Sequence, residues 1–427
     1  MLKLKLLILM IFTSTSHLCA AKAPTSDEVE AAERYFTSPI SMKLWRASIN
    51  DKDAIDRFFE TLEGNHVVEP LSSKPESVVV TYFVRGSNET DYMMLSGGPD
   101  FFGLRFKKFA QSSIYFCVQT IPIDASFNFG INEFKIQYMP NNIIEQSMDH
   151  IVDGVVVAPD APKSEFLTES KENLYLPMKE TRIKSKALKE SWPVNLYVPR
   201  DLDHSKPIKL LIQLDGENFN KPFNSSKPWE AWTPLPTIVN NLALKNRIAQ
   251  TILVLVPNQG QRSTILLKDS FSDFLALELP ANILKKLSVK SFDGVYISGP
   301  SRAGYTAINT AYRHSDIIAG VLSQSGSFYY TFDEPDANWP IYPKYEGHLL
   351  EQIKSKKFTQ QRFYLDVGLY DLGAARVGAN RQLKDILKFN GAKVKYNEYN
   401  GGHSHLNWRQ QISTGLIFLL KPNSTTN

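Results

Sequence analysis

Cysteine is almost absent from this chain of 427 residues, which contains only Cys19 and Cys117. Cys19 lies in an N-terminal segment that we expect to be removed, so Cys117 would remain as the single thiol. One thiol excludes an internal disulfide and a metal site built from clustered cysteines. Because Cys117 lies in the apolar run SIYFCVQ, we expect it to be buried in a core.

The chain also lacks a strong excess of either charge and the glycine-rich loops that bind phosphate. Its net charge is only +4 and its lysines and arginines form no dense run, which is untypical of nucleic-acid-binding proteins. The sequence GGH lacks the Lys-Ser/Thr pair of a P-loop, and no His or Cys spacing is typical of a metal site. We therefore predict no cofactor, no metal and no nucleic acid partner, and a charge compatible with an anionic small-molecule substrate.

Long hydrophobic runs are missing too, apart from a short one near the N-terminus. Leu6–Phe12 is apolar but too short to cross a bilayer, and Lys3 and Lys5 precede it. This order, followed by the small residues of the sequence CAA, is typical of a secretory signal peptide. We assign the signal peptide to residues 1–21.

An uncleaved anchor and a lipoprotein are the alternatives to a cleaved signal. Lipid attachment at Cys19 is disfavoured because Ser16 stands where a lipobox normally has leucine. We expect export across the inner membrane to the periplasm, with no transmembrane helix after signal removal.

The length is sufficient for two domains, and a hydrophobic content of 43% is that of an ordinary globular protein. Residues 22–145 show a helical pattern over residues 26–62, followed by short β-rich runs that Gly, Asn, Asp and Pro separate. This pattern predicts a helical plus β-sandwich-like N-terminal domain. Prolines and the loss of periodicity predict a linker over residues 146–175.

Residues 176–427 alternate between strand and helix patterns. Two alternating runs, TRIKSKAL and WPVNLYVP, predict antiparallel strands at the start, and continuous apolar runs such as KLLIQL and TILVLV predict buried strands. The fold class we predict is α/β, a doubly wound and mainly parallel sheet of the α/β-hydrolase type. In such sheets the functional site lies at the carboxyl ends of the strands.

The strongest candidate for a reactive residue is Ser301, within VYISGPSRAGYTAINTAYR at residues 295–313. A β-branched run, a tight turn carrying a serine and then a helix are typical of a nucleophile elbow. The usual pattern is G-x-S-x-G, but here Ala303 occupies the last position and Gly304 follows it. An ordinary Gly-x-Ser turn between a strand and a helix is the alternative.

Serine needs a base, and the base needs an orienting acid. Asp371 follows the strand run RFYLDVG, and His403 follows two glycines after the last strand run. Serine, acid and histidine in this order are typical of α/β-hydrolases. Asp366 is an alternative acid and His405 an alternative base. The remaining candidates lack a strand-end position and are expected at the surface or at helix ends, namely His204, His314 and His348.

Ester hydrolysis also requires two donors for the oxyanion. In this fold one donor is the N–H group that follows the nucleophile, here that of Arg302. The other comes from a loop after an earlier strand, and in residues 214–219 we assign it to the N–H group of Glu217. An ordinary turn between a strand and a helix is the alternative for this loop.

Four stretches resemble the enterochelin (enterobactin) esterase family, an esterase D-like group of α/β-hydrolases, in order and spacing. They are LLIQLDGENF, the elbow GPSRAG, VLSQSGSFYY and GGHSHLNWR. The resemblance implies hydrolysis of the ester bonds of a ferric catecholate siderophore, with release of iron. It implies Ser301 as the nucleophile, His403 as the base and Asp371 as the acid.

The resemblance also indicates substrate-binding residues. Arg262, in QRSTILL, matches an arginine of the family's substrate loop, and arginine suits a strongly anionic ligand. Trp408 and Arg409 match as well, and for these two residues substrate binding and packing of the closing helix are both open.

Departures from the family pattern leave the substrate open. Pro300, Arg302 and Ala303 differ from the residues usual in the elbow, and the predicted export resembles the family's shorter exported relatives. The alternative functions are therefore a serine esterase for an aryl or carbohydrate ester, and a non-catalytic siderophore-binding protein on a hydrolase scaffold.

Overall fold

The computed structural model forms two compact units, residues 1–161 and residues 162–427. It describes residues 23–87, 89–100, 103–109, 112–139, 142–221, 232–330, 347–358, 360–371 and 373–422. The predicted signal peptide over residues 1–21 lies outside the described residues. Across the described ranges, no helix combines the length and the apolar character that crossing a membrane requires.

The N-terminal unit begins with helices where the sequence predicts them. They are α1 (Ser26–Tyr35), α2 (Pro39–Asn50) and α3 (Ala54–Thr61). The Thr25 and Ser38 side chains accept backbone N–H groups of the first turns of α1 and α2, which stabilises each start. Pro39 can begin a helix but cannot continue one, so the predicted helical stretch is divided at this point.

Among the described residues of the same unit, eight strands form two four-stranded sheets. The first sheet has the order β1-β2-β6-β5 and the second the order β4-β3-β7-β8. The strands are β1 (His66–Pro70), β2 (Ser77–Arg85), β3 (Tyr92–Ser96), β4 (Leu104–Arg105), β5 (Lys107–Lys108), β6 (Ile114–Pro122), β7 (Ser126–Met139) and β8 (Asn142–Val157). The helices pack on an aromatic core that includes Phe36, Phe83 and Phe116. A smaller β-rich fold preceding the main sheet is thus confirmed, and Cys117 is buried in it as expected.

The linker predicted over residues 146–175 is wrong in its first part. Residues 146–157 belong to β8, which pairs with β7 in an antiparallel ladder. That ladder satisfies the backbone polar groups, and the β-branched residues of the segment favour a strand. Register shifts in β7 interrupt the pairing, and such bulges disturb the alternation by which a strand is found in a sequence. The division between the units follows Ala161.

In the second unit, the strands that the structure describes form an eight-stranded sheet of order β16-β15-β14-β13-β11-β12-β10-β9. Its strands are β9 (Lys179–Ser185), β10 (Glu190–Tyr197), β11 (Lys209–Leu214), β12 (Thr251–Val256), β13 (Val295–Pro300), β14 (Ile318–Gln324), β15 (Arg362–Gly368) and β16 (Lys393–Tyr399). β9 and β10 pair antiparallel at one edge, and all the other strands run parallel. The predicted α/β-hydrolase fold and its antiparallel leading strands are confirmed.

Helices cover both faces of this sheet. They are α4 (Leu235–Leu244), α5 (Arg262–Ile265), α6 (Asp269–Asp273), α7 (Leu279–Leu287), α8 (Arg302–Arg313), α9 (His348–Ile353), α10 (Gly373–Phe389) and α11 (His405–Leu420), with a 3₁₀ turn at Gly216–Asn218 and a π-helical turn at Phe274–Glu278. Successive β11 residues alternate between two core clusters, since Leu210 and Ile212 join one and Leu211 the other. Burial on both faces explains why the central strands are continuously apolar.

The parallel strands direct the loops that follow them to one edge of the sheet. β11, β12, β13, β14, β15 and β16 all end there, because the carboxyl ends of parallel strands lie on the same side. The residues that follow β11, β13, β15 and β16 include every member of the predicted oxyanion and catalytic sets.

Candidate active site

The turn between β13 and α8 holds Ser301 in a backbone conformation that side chains rarely adopt, with φ 55° and ψ −123°. Its N–H donates to the Gln324 carbonyl at 2.8 Å, and its carbonyl accepts the Ser327 N–H at 3.1 Å. The turn is so tight that a Cβ on Gly299 would lie 2.7 Å from the Cβ of Ala303. These features are those of a nucleophile elbow, with Ala303 in regular helix.

Asp371 and His403 lie in hydrogen-bond contact. His403 Nδ1 is 2.8 Å from Asp371 Oδ2, and the Asp371 side chain is completely buried whereas that of His403 is 25% exposed. The two loops are joined because the Tyr370 N–H donates to the Gly401 carbonyl. A side chain on Gly368 would clash with that same carbonyl, at 2.2 Å from the added Cβ. The glycines of these loops therefore permit the close approach that brings the acid to the imidazole.

The charges of this pair are set by its surroundings. Burial on its own raises the pKa of Asp371, but His403 and Arg376 outweigh burial and hold the pKa at about 2. Burial lowers the pKa of His403, and the positive charge of Arg376 lowers it further against the opposing effect of Asp371. An ionised acid beside a neutral imidazole is the state required of a general base and its orienting group.

Ser301 and His403 stand at the same edge of the sheet without a hydrogen bond between their side chains in the described part of the chain. The Ser301 Oγ instead lies 3.4 Å from the Oγ of Ser327. Catalytic hydrogen bonds often tighten only in the complex with substrate, so this arrangement is compatible with a serine–histidine pair.

Two backbone N–H groups are available near the elbow. Glu217 lies in the 3₁₀ turn after β11, and Arg302 is the first residue of α8. Within the described ranges neither N–H group has a backbone acceptor, as expected for residues in the first turn of a helix. Both belong to loops at the carboxyl edge of the sheet, which is the position an oxyanion hole requires.

Arg262 is held firmly beside this edge. Its Nε and Nη2 donate to the two carboxylate oxygens of buried Asp215, at 2.9 and 2.7 Å. Asn258 also donates to Asp215 through Nδ2. Its own position is fixed because its N–H and Nδ2 groups both donate to the Glu217 carboxylate. The Arg262 side chain remains 39% exposed, so a fixed positive charge faces solvent.

Trp408 and Arg409 are packing residues. Trp408 is 6% exposed, its Nε1 donates to Ser325 Oγ, and its ring meets the His403 ring edge-on with centroids 4.9 Å apart. Arg409 is 1% exposed, and burial lowers its pKa to about 10. Of the two roles left open for this pair, substrate binding and packing of the closing helix, their burial favours packing of α11, since their polar groups face the protein interior.

The alternative acid and base have different surroundings. Asp366 is completely buried, accepts from Gln324 Nε2 at 3.1 Å, and burial raises its pKa to about 8, so it is neutral at pH 7. His405 Nδ1 lies 2.9 Å from Thr233 Oγ1, and burial together with nearby positive charges lowers the pKa of His405 to about 3. Neither residue takes part in the Asp371–His403 contact.

Three residues at the site were not predicted from the sequence, namely Arg376, Ser327 and Tyr329. Ser327 contacts the Ser301 hydroxyl, and Arg376 contacts Asp371, His403 and the Tyr329 hydroxyl. Arg376 lies in the first turn of α10, where the helix dipole disfavours a cation. A positive residue at such a position, five residues after the predicted acid, was the signal that could have revealed it.

The described residues contain no group of three or more His, Cys, Asp or Glu side chains arranged to hold a metal ion.

Comparison with known proteins relates this geometry to esterases. The family model "Esterase", described as "Putative esterase", matches residues 185–419. The Escherichia coli (strain K12) protein named iron(III) enterobactin esterase is 26% identical over 256 residues. The alignment covers 58% of this chain and 58% of the E. coli protein, which is less than two thirds of that relative.

Solved structures share the fold. The ferric enterobactin esterase of Salmonella typhimurium superposes with a TM-score of 0.66 at 16% identity, over 86% of this chain and 99% of that chain. The enterobactin esterase of Shigella flexneri, crystallised in the presence of enterobactin, gives a TM-score of 0.63 at 18% identity, over 86% and 98%. These coverages include the β-rich N-terminal part as well as the main sheet.

Replacing Ser301 by glycine is expected to relieve the backbone strain at the elbow. Glycine adopts a positive φ without the steric penalty of a Cβ, whereas Ser301→Ala keeps the Cβ and the strain. We expect Ser301→Gly to be more stable than Ser301→Ala by about 1 kcal/mol in the free energy of unfolding. Urea denaturation of the two variants measures this difference, and equal midpoints would show that the turn is unstrained.

Replacing Asp366 by asparagine is expected to change how stability depends on pH. The folded carboxyl has a pKa of about 8, and in an unfolded chain an aspartate ionises near pH ~3.9. Between these values the folded state holds one more proton, so wild-type stability falls by about 1.4 kcal/mol per pH unit as pH rises. The amide of Asp366→Asn does not titrate, so the variant does not lose stability in this way as pH rises.

The measurement is urea denaturation of wild type and Asp366→Asn from pH 5 to pH 8. We expect the free energy of unfolding of Asp366→Asn, relative to that of wild type, to rise steadily over this range. Asp385→Asn, at an exposed position on α10, serves as the control and should show a constant difference. Parallel curves for wild type and Asp366→Asn would contradict a neutral buried carboxyl.

Proposed function

The chain belongs to the esterase family, and from this premise we propose that it is a serine esterase that hydrolyses the ester bonds of a ferric catecholate siderophore and so releases iron. The observation that carries the proposal is the contact between buried Asp371 and His403 at the same sheet edge as the strained elbow residue Ser301. An ionised acid, a neutral imidazole and a serine at the elbow are the three groups that acyl transfer by a serine hydrolase requires.

In the proposed mechanism, the Ser301 hydroxyl attacks the ester carbonyl while His403 Nε2 takes its proton. Asp371 accepts the Nδ1–H group of His403, which fixes the tautomer that leaves Nε2 free to act as the base. The N–H groups of Arg302 and Glu217 stabilise the oxyanion of the tetrahedral intermediate. The alcohol then leaves with the proton from His403, and water hydrolyses the acyl-enzyme by the same steps in reverse.

The positive charges near the elbow support an anionic substrate. Arg262 is fixed on Asp215 and partly exposed, and the Arg302 side chain has only a weak contact, at 3.4 Å, with the Ser263 carbonyl. The relatives described above are named enterobactin esterases. The resemblance of the sequence motifs implies a catecholate siderophore whose ester bonds hold its chelating arms together. Cleaving these bonds separates chelating arms that were held together, so the affinity for iron falls.

We place the proposed reaction in the periplasm because residues 1–21 have the pattern of a signal peptide. N-terminal sequencing of protein from a periplasmic extract should find a chain that begins after Ala20 or Ala21. A chain that begins at Met1 in the cytoplasmic fraction would contradict export.

The function is tested by measuring hydrolysis of ferric enterobactin, iron-free enterobactin and a neutral aryl ester. Wild type and the control Ser205→Ala, at an exposed serine, should hydrolyse ferric enterobactin. Ser301→Ala should lose at least about a thousandfold of kcat, because no nucleophile remains.

Two outcomes would overturn the proposal. If folded wild type is as inactive as Ser301→Ala on every ester, the protein is not a serine esterase. If aryl or feruloyl esters are hydrolysed far better than any siderophore, the substrate class is wrong.

Replacing Arg302 by glutamine is expected to weaken recognition of the anionic substrate while keeping the backbone N–H. We expect kcat/KM for ferric enterobactin to fall about tenfold, chiefly through KM, because one charge-assisted contact is lost. Hydrolysis of the neutral aryl ester should change less than about twofold. The control is Arg313→Gln at the far end of α8, where the arginine pairs with Asp269 and Asp273. Equal losses on both substrates would assign Arg302 to the chemistry and not to recognition.

A further inference from the structure

Arg376 is a buried arginine that shares the carboxylate of Asp371 with His403. Its side chain is 2% exposed, and its Nη1 donates to Asp371 Oδ1 while His403 Nδ1 contacts Asp371 Oδ2. The same Nη1 lies 2.9 Å from His403 Nδ1, and Nη2 donates to the Tyr329 hydroxyl at 3.0 Å. A guanidinium thus stands directly against the acid and the base of the proposed site.

The two contacts of His403 Nδ1 compete for its proton. When Nδ1 carries a hydrogen it donates to Asp371, and Nε2 is then free to accept a proton from serine. When Arg376 donates to Nδ1, the hydrogen lies on Nε2 and the base is blocked. Because Asp371 is anionic and also bonds Arg376, the first arrangement satisfies all three groups, and it places a cation beside the Nδ1–H.

A cation at this position opposes protonation of His403. In a simple acid–histidine pair the carboxylate stabilises the imidazolium, but here Arg376 neutralises that carboxylate inside a buried pocket. The other groups that face His403 are partly exposed Arg262 on α5, and neutral His405 and the Trp408 ring edge on α11. Two arginines therefore oppose protonation of His403, and one carboxylate favours it.

We propose that Arg376 is a positioning residue of the catalytic site, which fixes Asp371 for His403 and keeps His403 unprotonated, and so active as a base, under acidic conditions. The inference rests on the proposed serine esterase function. Its geometric basis is the shared carboxylate, and the lowering of the His403 pKa by burial and Arg376 agrees with it. Arg376 lies in the first turn of α10, where the helix dipole disfavours a cation, so its position is not explained by helix stability.

The test is the pH dependence of kcat/KM for a neutral aryl ester. We expect the acid limb of Arg376→Gln to move to higher pH by at least about one unit, since removing the cation makes His403 easier to protonate. Arg376→Lys, which keeps the charge but not the forked geometry, should keep the acid limb near that of wild type and lose kcat. Arg381→Gln, which removes a surface arginine paired with Glu398 on the same helix, is the matched control and should leave the profile unchanged.

A second measurement does not require catalysis. NMR titration of His403 in the Ser301→Ala background, assigned with His403→Gln, should show the same upward shift in Arg376→Gln. If that variant does not fold, Asp371→Asn is compared with Asp371→Asn/Arg376→Gln, in which both buried charges are absent. His403 should titrate at least about one unit higher in the double variant.

An acid limb or His403 titration that does not move in Arg376→Gln, or that moves equally in Arg376→Lys, would overturn the proposal. A lower melting temperature with an unchanged profile would show a purely structural arginine. These results differ from failure of the proposed function, in which wild type hydrolyses no ester while the His403 titration still reports the effect of Arg376.

Discussion

The hydrogen bond between Asp371 and His403 is the interaction on which the site depends. It joins the loops after two neighbouring parallel strands, and it places a fully buried carboxylate behind a partly exposed imidazole. The loops can meet only because Gly368 has no side chain to strike the Gly401 carbonyl. The bond therefore depends on the sheet and on glycine at one contact. It engages Nδ1 of His403 and leaves Nε2 as the nitrogen that Asp371 does not bind.

Strain and burial complement this bond. Ser301 is held at a positive φ by backbone hydrogen bonds to Gln324, the last residue of β14, and to Ser327 beyond it. A rigid core thus maintains a conformation that the chain alone would avoid. Aromatic packing restricts the orientation of the base, since the Trp408 ring lies against the His403 ring. In this arrangement, polar side chains stand on loops whose positions a dry, closely packed sheet determines.

Much of the fold and of the candidate site could be predicted from the sequence, because the signals are either local patterns or the order of residues along the chain. Buried parallel strands appear as continuous apolar runs, and Ser301, Asp371 and His403 follow such runs in the order typical of the fold. The β8 strand was missed because bulges disturb its pairing. The role of Arg409 stayed open between substrate binding and packing, because a motif match does not report burial. Arg376 was missed since its importance arises from three-dimensional contact with the acid. Asp366 and Asp371 could not be fully separated by sequence pattern, because only the folded structure places His403 and Arg376 beside Asp371 and, among the described residues, leaves Asp366 buried without a cation.

The distribution of charge connects the fold with the proposed substrate. Arg262 and Arg302 face outward from the edge where the elbow lies, whereas Arg376 and Arg409 are buried and act within the protein. The central claim is that Ser301 is a nucleophile activated by this environment. Reaction with a fluorophosphonate probe, followed by peptide mass spectrometry, tests it most directly. We predict a single adduct on Ser301 that is absent after His403→Gln; a folded protein with no adduct, or with the adduct on Ser327, would contradict the account.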